Sequence, residues 1–180
     1  MVDAPREASE GARPAWVDGP IDIDAALLRQ VEAHAVAEYP SEACGFLAGP
    51  AARASWVDAF QREPNEADKY HALDPETFPR TSRTYFKINE LRAGRAFDEG
   101  AAAGRPVKVI FHSHCDAGAY FSEEDAATFS SEGVLTWPCA FLVVSVREGV
   151  VDDRKLWVHD PATGAFREGE LRVAEAAAGP

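Results

Sequence analysis

The sequence predicts an α/β domain in which a mixed, curved β-sheet carries packed helices, and three observations lead there. Residues 139–146 form an almost unbroken apolar run of strand length, and residues 107–111 form a second one. Leu27, Leu28, Val31 and Ala35 instead recur at helical spacing, as one apolar stripe. Segments of the two periods interleave along the chain, which is the pattern of helices laid on a sheet.

Taken in order, residues 1–20 are rich in Ala, Pro, Gly and charge, with Trp16 their only aromatic, and read as a flexible arm. The folded domain is expected over residues 21–172. Asp24 can cap the first helix, because its carboxylate can accept from unpaired amides of the first turn, and Pro40 stops it. Residues 44–48 follow as a strand, with 54–60 as the expected antiparallel neighbour. Between Asn65 and Thr84 there is little periodicity, and Pro75 and Pro79 break what there is. A long irregular excursion is therefore expected, and excursions of that length are often functional. Residues 85–88 read as a short strand and 89–103 as a helix with Leu91 and Phe97 on its inner side. After the 107–111 strand comes a Gly-containing loop and a helix opened by Ser122. Beyond the 139–146 strand, residues 154–159 and 164–172 read as strands parted by turn signals at Asp160-Pro161 and Thr163-Gly164. Residues 173–180 are low in complexity and read as a frayed end.

Composition narrows the function classes. A chain of 180 residues suits one domain with a sizeable core. Its net charge of -12, with no basic stripe, argues against nucleic acid, since phosphate binding relies on clustered Lys and Arg. No basic segment leading into an apolar one opens the chain, and no apolar run approaches membrane-spanning length, so a cytoplasmic protein is expected. Cys44, Cys115 and Cys139 are odd in number and lack Cys-x-x-Cys spacing. They indicate neither a disulfide framework nor a thiolate zinc site.

The chemistry-bearing residues lie where the second strand ends. In His112-Ser113-His114 the two histidines are two apart, so on a strand both imidazoles face the same side. Ser122-Glu123-Glu124-Asp125 opens the next helix and puts Asp125 in its first turn, able to reach back. Two imidazoles and a carboxylate suit one zinc ion and leave a fourth position for water, the pattern of catalytic rather than structural zinc. Alone, Ser122-x-x-Asp125 would be an ordinary capping box. His34, His71 and His159 have no partner at ligand spacing and are not assigned to metal. A zinc deaminase would need His-x-Glu and Pro-Cys-x-x-Cys. Here His114 stands where that glutamate belongs, and Leu142 where the second cysteine belongs.

The full pattern, His-Ser-His, seven residues, Ser, two residues, Asp, resembles the JAMM motif of MPN-plus metallopeptidases. That family also carries an upstream glutamate in a stretch such as Glu-Ala-Cys-Gly leading into a strand, and this chain has Glu42-Ala43-Cys44-Gly45. The resemblance runs from about Ile21 to the strand near Leu156. It implies the MPN (JAMM) fold, which is cytidine-deaminase-like, and a Zn2+ cofactor held by His112, His114 and Asp125. It further implies that Glu42 moves the proton of the attacking water and that Ser122 donates to the oxyanion. Ser113 is expected to help orient the imidazoles. One departure is Cys115, at a position where the family motif commonly has proline.

Members of the family divide into deubiquitinases and prokaryotic relatives that act on ubiquitin-fold sulfur-carrier proteins, some by releasing an amino acid attached after the carrier's C-terminal Gly-Gly. Residues 126–138 are short where chain-specific deubiquitinases carry a larger insertion, so the resemblance implies the prokaryotic sulfur-carrier type, with a homodimer as an open option. Tyr120 and Phe121 could form one wall of the tail channel or belong to the core. The rival readings are a deubiquitinase-like isopeptidase, a non-catalytic MPN scaffold, and a cell-wall or phage-tail peptidase. The intact set of Glu42, His112, His114, Ser122 and Asp125 counts against the scaffold, and no export signal or wall-binding module supports the last.

Overall fold

The computed structural model describes residues 13–175. Strand β1 (Ile21–Asp24) runs directly into helix α1 (Ala25–Glu38), because Asp24 is still extended while its carboxylate accepts from Leu27 N at 3.0 Å. Strands β2 (Cys44–Ala48), β3 (Trp56–Val57) and β4 (Ala59–Glu63) precede helices α2 (Ala67–Leu73) and α3 (Glu90–Ala102). Strand β5 (Val107–Cys115) leads to helix α4 (Glu123–Phe129) and a small hairpin, β6 (Ser130–Ser131) with β7 (Val134–Leu135). Strands β8 (Ala140–Arg147), β9 (Val150–His159), β10 (Phe166–Gly169) and β11 (Leu171–Ala174) follow, and a short 3-10 turn at Ala15–Val17 precedes β1.

Six strands pair in the order β10-β9-β8-β5-β2-β4, and only β5 with β8 is parallel. A helix and a hairpin lie between the members of that pair, supplying the long crossover that parallel neighbours require. β5 and β8 are buried on both faces, which is why they read as continuous apolar runs. Their alternation divides the core. Val109, Phe111, Leu142, Val144 and Val146 cluster with Leu27, Leu28, Val31 and Ala35 of α1. Ile110 and Phe141 cluster on the opposite face with Phe46, Phe86, Ala93 and Phe129. Each Val, Leu, Ile or Phe among them contributes roughly 1.5–3 kcal/mol when fully buried. His112 follows Ile110 on this second face and stacks on Phe86, ring centroids 4.4 Å apart.

The remaining strands, β11-β1-β3, form a separate parallel sheet. β1 and β3 are too short for a clear period, so neither stands out in the sequence as it does in the fold. Their pairing also moves the expected domain ends. Residues 13–20 are not an arm: Val17 is fully buried, Trp16 Nε1 donates to Pro138 O at 2.9 Å and Arg13 Nη2 donates to His159 O at 2.6 Å. Val173 and Ala174 are not frayed, since β11 is in register with β1 from Leu171 opposite Ile21 to Ala174 opposite Asp24. The arm reading for residues 1–12 and the frayed reading for 176–180 lie outside the described residues.

Two inner expectations also change. Residues 85–88 form no strand; backbone pairing there gives way to the Asn65 side chain, which accepts from Lys87 N at 3.0 Å and donates to Tyr85 O at 2.9 Å. On α3, Phe97 and Ala93 face the core while Leu91 is 83% exposed. Leu91 is two residues from Ala93, about 200° around the helix, so it lies on the opposite side. Among the described residues no helix is long and apolar enough to cross a membrane.

One buried charge ties the sheet to its neighbouring loop. Lys108, fully buried on β5, donates from Nζ to Pro50 O (2.9 Å), Arg53 O (2.7 Å) and Trp56 O (2.9 Å). Three ammonium protons meet three carbonyls, two of which, Pro50 O and Arg53 O, also accept a backbone amide within the turn, from Arg53 N and Trp56 N at 3.0 Å. Burial pushes the ammonium down to about 8, with Arg105 and Arg53 adding to the effect and Asp58 opposing it. Lys108→Met should therefore destabilise the protein by about 3 kcal/mol, since it keeps the bulk but removes all three charge-assisted bonds between β5 and the turn. Urea unfolding should show a lower midpoint at an unchanged slope, and an unchanged midpoint would show that the loop finds other donors.

Candidate active site

β5 continues past Phe111 to Cys115, and this extension carries both imidazoles to the same side of the sheet. His112 Nε2 and His114 Nε2 are 3.2 Å apart. Asp125 closes the triangle, with Oδ1 3.4 Å from His112 Nε2 and Oδ2 3.6 Å from His114 Nε2. All three residues are buried, and their ligand atoms lie within 4.8 Å of one another. The carboxylate is held there by helix capping. Ser122 Oγ accepts from Asp125 N at 3.0 Å, while Asp125 Oδ2 accepts from Ser122 N at 2.8 Å and from Ser122 Oγ at 2.7 Å.

The donor set fits a metal ion. His114 Nδ1 lies 2.8 Å from Gly118 O, a carbonyl that only accepts, so in the neutral ring the proton is on Nδ1 and Nε2 keeps its lone pair. His112 takes its orientation from the stacked Phe86 ring, since its Nδ1 is buried without a hydrogen-bond partner. Two imidazole nitrogens and one carboxylate suit Zn2+.

The electrostatics favour the same states. Burial lowers the pKa of His112 and outweighs the pull of Asp125. Burial alone would raise the Asp125 carboxyl, but His112 and the bonds from His112, His114 and Ser122 outweigh it and hold Asp125 well below the usual carboxylate range. For His114, burial pulls downward, yet the bond to Asp125 and the charge of Glu42 raise it overall. Asp125 therefore stays ionised across the physiological range.

Glu42 reaches the site through the β2–β5 ladder, in which Cys44 stands opposite His112. The residues before Cys44 are pinned individually. Glu42 N donates to Ser82 O at 2.7 Å, Glu42 O accepts from Asn65 Nδ2 at 2.9 Å, and Ala43 N donates to Ser113 Oγ at 2.8 Å. Ser113 thus does not orient the imidazoles as expected; one step along the strand it points to the other face and clamps the residue beside Glu42. Burial pushes the Glu42 carboxyl up to about 8, with Asp125 adding to the effect and His114 opposing it.

Glu42, His114, Ser122 and Asp125 line one cleft, with His112 fully buried behind them. Tyr120 forms part of its wall, its ring 4.9 Å from that of His114, whereas Phe121 turns inward against Phe166 (4.4 Å) and Phe141 (5.2 Å). Cys115 also lines the cleft, and burial, assisted by Glu42 and Asp116, pushes its thiol up to about 11. It is a neutral thiol at physiological pH. The excursion expected to be irregular contains helix α2, and the segment after that helix supplies another wall as Arg80, Arg83, Thr84 and Tyr85. Sequence reading missed these residues and Asn65; only the length of the excursion hinted at a role. His34, His71 and His159 lie elsewhere: His34 packs on Phe60, His71 bonds Phe78 O, and His159 packs on Phe166.

Comparison with known proteins agrees with this geometry. The family of prokaryotic homologs of the JAB domain matches residues 24–159. The CysO-cysteine peptidase of Mycobacterium tuberculosis is 33% identical over 130 residues, covering 70% of this chain and 73% of that protein. A solution structure of a protein from Desulfitobacterium hafniense superposes with a TM-score of 0.62 at 21% identity, covering 88% of this chain and 96% of the other. A JAB1/MPN domain protein from Archaeoglobus fulgidus gives 0.53 at 17% identity, covering 87% and 99%. Those two likenesses concern the fold alone. The family match begins at the α1 cap, ahead of Glu42, and runs beyond Asp125 to the end of β9, and on that span the chain belongs to the prokaryotic branch of the JAMM/MPN family.

Proposed function

We propose that this protein is a zinc-dependent peptidase that hydrolyses the bond after the C-terminal Gly-Gly of a ubiquitin-fold, sulfur-carrier-like protein, in the cytoplasm. The observation that carries the reading is the meeting of His112, His114 and Asp125 with a buried carboxyl, Glu42, in the same cleft. The similarity to a CysO-cysteine peptidase supports the substrate class.

His112, His114 and Asp125 would hold the Zn2+. Bound there, the ion would polarise the scissile carbonyl and make water acidic enough to ionise near pH 7. Glu42 accepts a proton from the attacking water and passes it to the leaving amine, a task suited to a carboxyl with a pKa near the working pH. Ser122 Oγ now donates to Asp125; turning that O–H toward the substrate supplies a hydrogen bond to the developing oxyanion, while the oxygen still accepts from Asp125 N. A Gly-Gly tail suits a cleft between Tyr120 and Tyr85, since chains without side chains can approach closely. Between α4 and β8 the chain makes the short β6–β7 hairpin, which offers little surface to a second folded ubiquitin.

Elemental analysis of purified protein should find about one zinc per chain, and Asp125→Ala or His114→Ala should sharply reduce it, because only three protein ligands are available. Equal zinc in wild type and both variants would sink the metal assignment. Glu42→Gln keeps size and shape but accepts no proton, so zinc should be retained while kcat falls by a factor of at least about 100. Full turnover by that variant would remove Glu42 from the mechanism. Mass spectrometry should show release of the residue attached after Gly-Gly on a sulfur carrier, with slow or absent cleavage of polyubiquitin. Rapid chain cleavage with untouched carrier adducts would assign the protein to the deubiquitinase type instead.

A further inference from the structure

The cleft holds two guanidinium groups with different commitments. Arg80 Nη2 is 2.5 Å from Glu124 Oε2, so its charge is already met by a carboxylate. Arg83 lines the same cleft, is exposed, and makes no hydrogen bond or ion pair among the described residues. Its charge is nevertheless felt by Cys115, directly after His114, and by Tyr39 and Asp116 beside it. Asp116 is the carboxylate of that group. It is occupied by Tyr39 Oη at 2.9 Å and Glu148 N at 2.9 Å, and forms no ion pair with Arg83.

An uncommitted cation at this point has a use defined by the reaction. In hydrolysis after Gly-Gly, the water oxygen joins the carbonyl carbon of the last glycine, the C–N bond breaks, and the amine leaves with a proton. The Gly-Gly tail brings no charge. If the leaving group is a single amino acid, its α-carboxylate lies two bonds from the leaving nitrogen, about 2.5 Å away. That anion must enter a cleft already holding Glu42, Glu124 and Asp125, on a chain of net charge -12. Glu124 is already met by Arg80 and Asp125 would face the zinc ion, which leaves Arg83 as the cleft guanidinium free, among the described residues, to receive the anion.

Building on the peptidase reading above, we infer that Arg83 is the specificity-determining residue that receives the free α-carboxylate of the leaving amino acid, making the site select one-residue C-terminal adducts over amide-linked extensions. A guanidinium binds a carboxylate through two parallel N–H···O bonds, so the preference depends on Arg geometry as well as on charge.

The test uses a ubiquitin-fold sulfur carrier ending in Gly-Gly and extended by one alanine, prepared as the free acid and as the carboxamide, with zinc-loaded full-length protein. Wild type should cleave the free acid with kcat/KM about 10- to 100-fold higher, the range of a charge-assisted hydrogen bond. The difference should lie mainly in KM, since the carboxylate is bound alike before and during reaction. Arg83→Gln should erase the preference and Arg83→Lys should restore part of it. Arg95→Gln, an exposed arginine on α3 away from the cleft, should keep it. Equal cleavage of acid and carboxamide by wild type, or loss of the preference in Arg95→Gln as complete as in Arg83→Gln, overturns the inference and leaves the peptidase reading standing. Cleavage of neither adduct by wild type overturns both.

Discussion

Ser113 is bonded twice to Ala43, its amide donating to Ala43 O at 2.9 Å and its hydroxyl accepting from Ala43 N at 2.8 Å, and this double tie decides where Glu42 stands. The residues on either side of Ser113 point the other way, toward Asp125. A single β-strand therefore performs two tasks with its two faces: even positions gather the imidazole nitrogens that could hold a metal ion, and the odd position between them fastens the segment that carries the carboxyl. Slipping the β2–β5 register by one residue would exchange those faces and separate Glu42 from the histidines.

Such a site is costly to fold. Four titratable side chains, Glu42, His112, His114 and Asp125, are withdrawn from water together, and burial of charge is compensated only by close partners. Part of that compensation is visible in the bonds converging on Asp125. The rest comes from the two apolar layers that grip β5 and β8, which hold the strands in place whatever the site itself costs. Lys108 shows the same logic on β5 away from the cleft: a buried charge is kept where every one of its protons has an acceptor.

The wall opposite the histidines depends on one amide side chain. Asn65 donates to Glu42 O and Tyr85 O and accepts from Ala67 N and Lys87 N, using both donors and both lone pairs. Asp68 adds two bonds of 2.7 Å to Ser82, whose carbonyl in turn accepts from Glu42 N. A segment with almost no regular pairing is thereby fixed against the cleft and delivers Arg80 and Arg83 to its rim.

The sequence by itself determined the parts that obey a local period or a local motif. The β5 and β8 runs, the α1 stripe with its Asp24 cap, and the Ser122–Asp125 capping box were legible because each rests on side chains a few residues apart. The gathering of His112, His114 and Asp125 was legible for the same reason, since a strand period and a first helical turn fix those positions. Only the tertiary structure decided the rest. β1 and β11 become strands because each is the other's partner across 150 positions of sequence. Residues 13–20 are ordered by bonds to Pro138 and His159, and residues 85–88 by Asn65. Glu42 comes to the histidines through Ser113, and Arg83 comes to the cleft through Asn65 and Asp68. Each of these rests on a bond between residues distant in the chain, and no local pattern records which distant partner a backbone amide or a side chain will find.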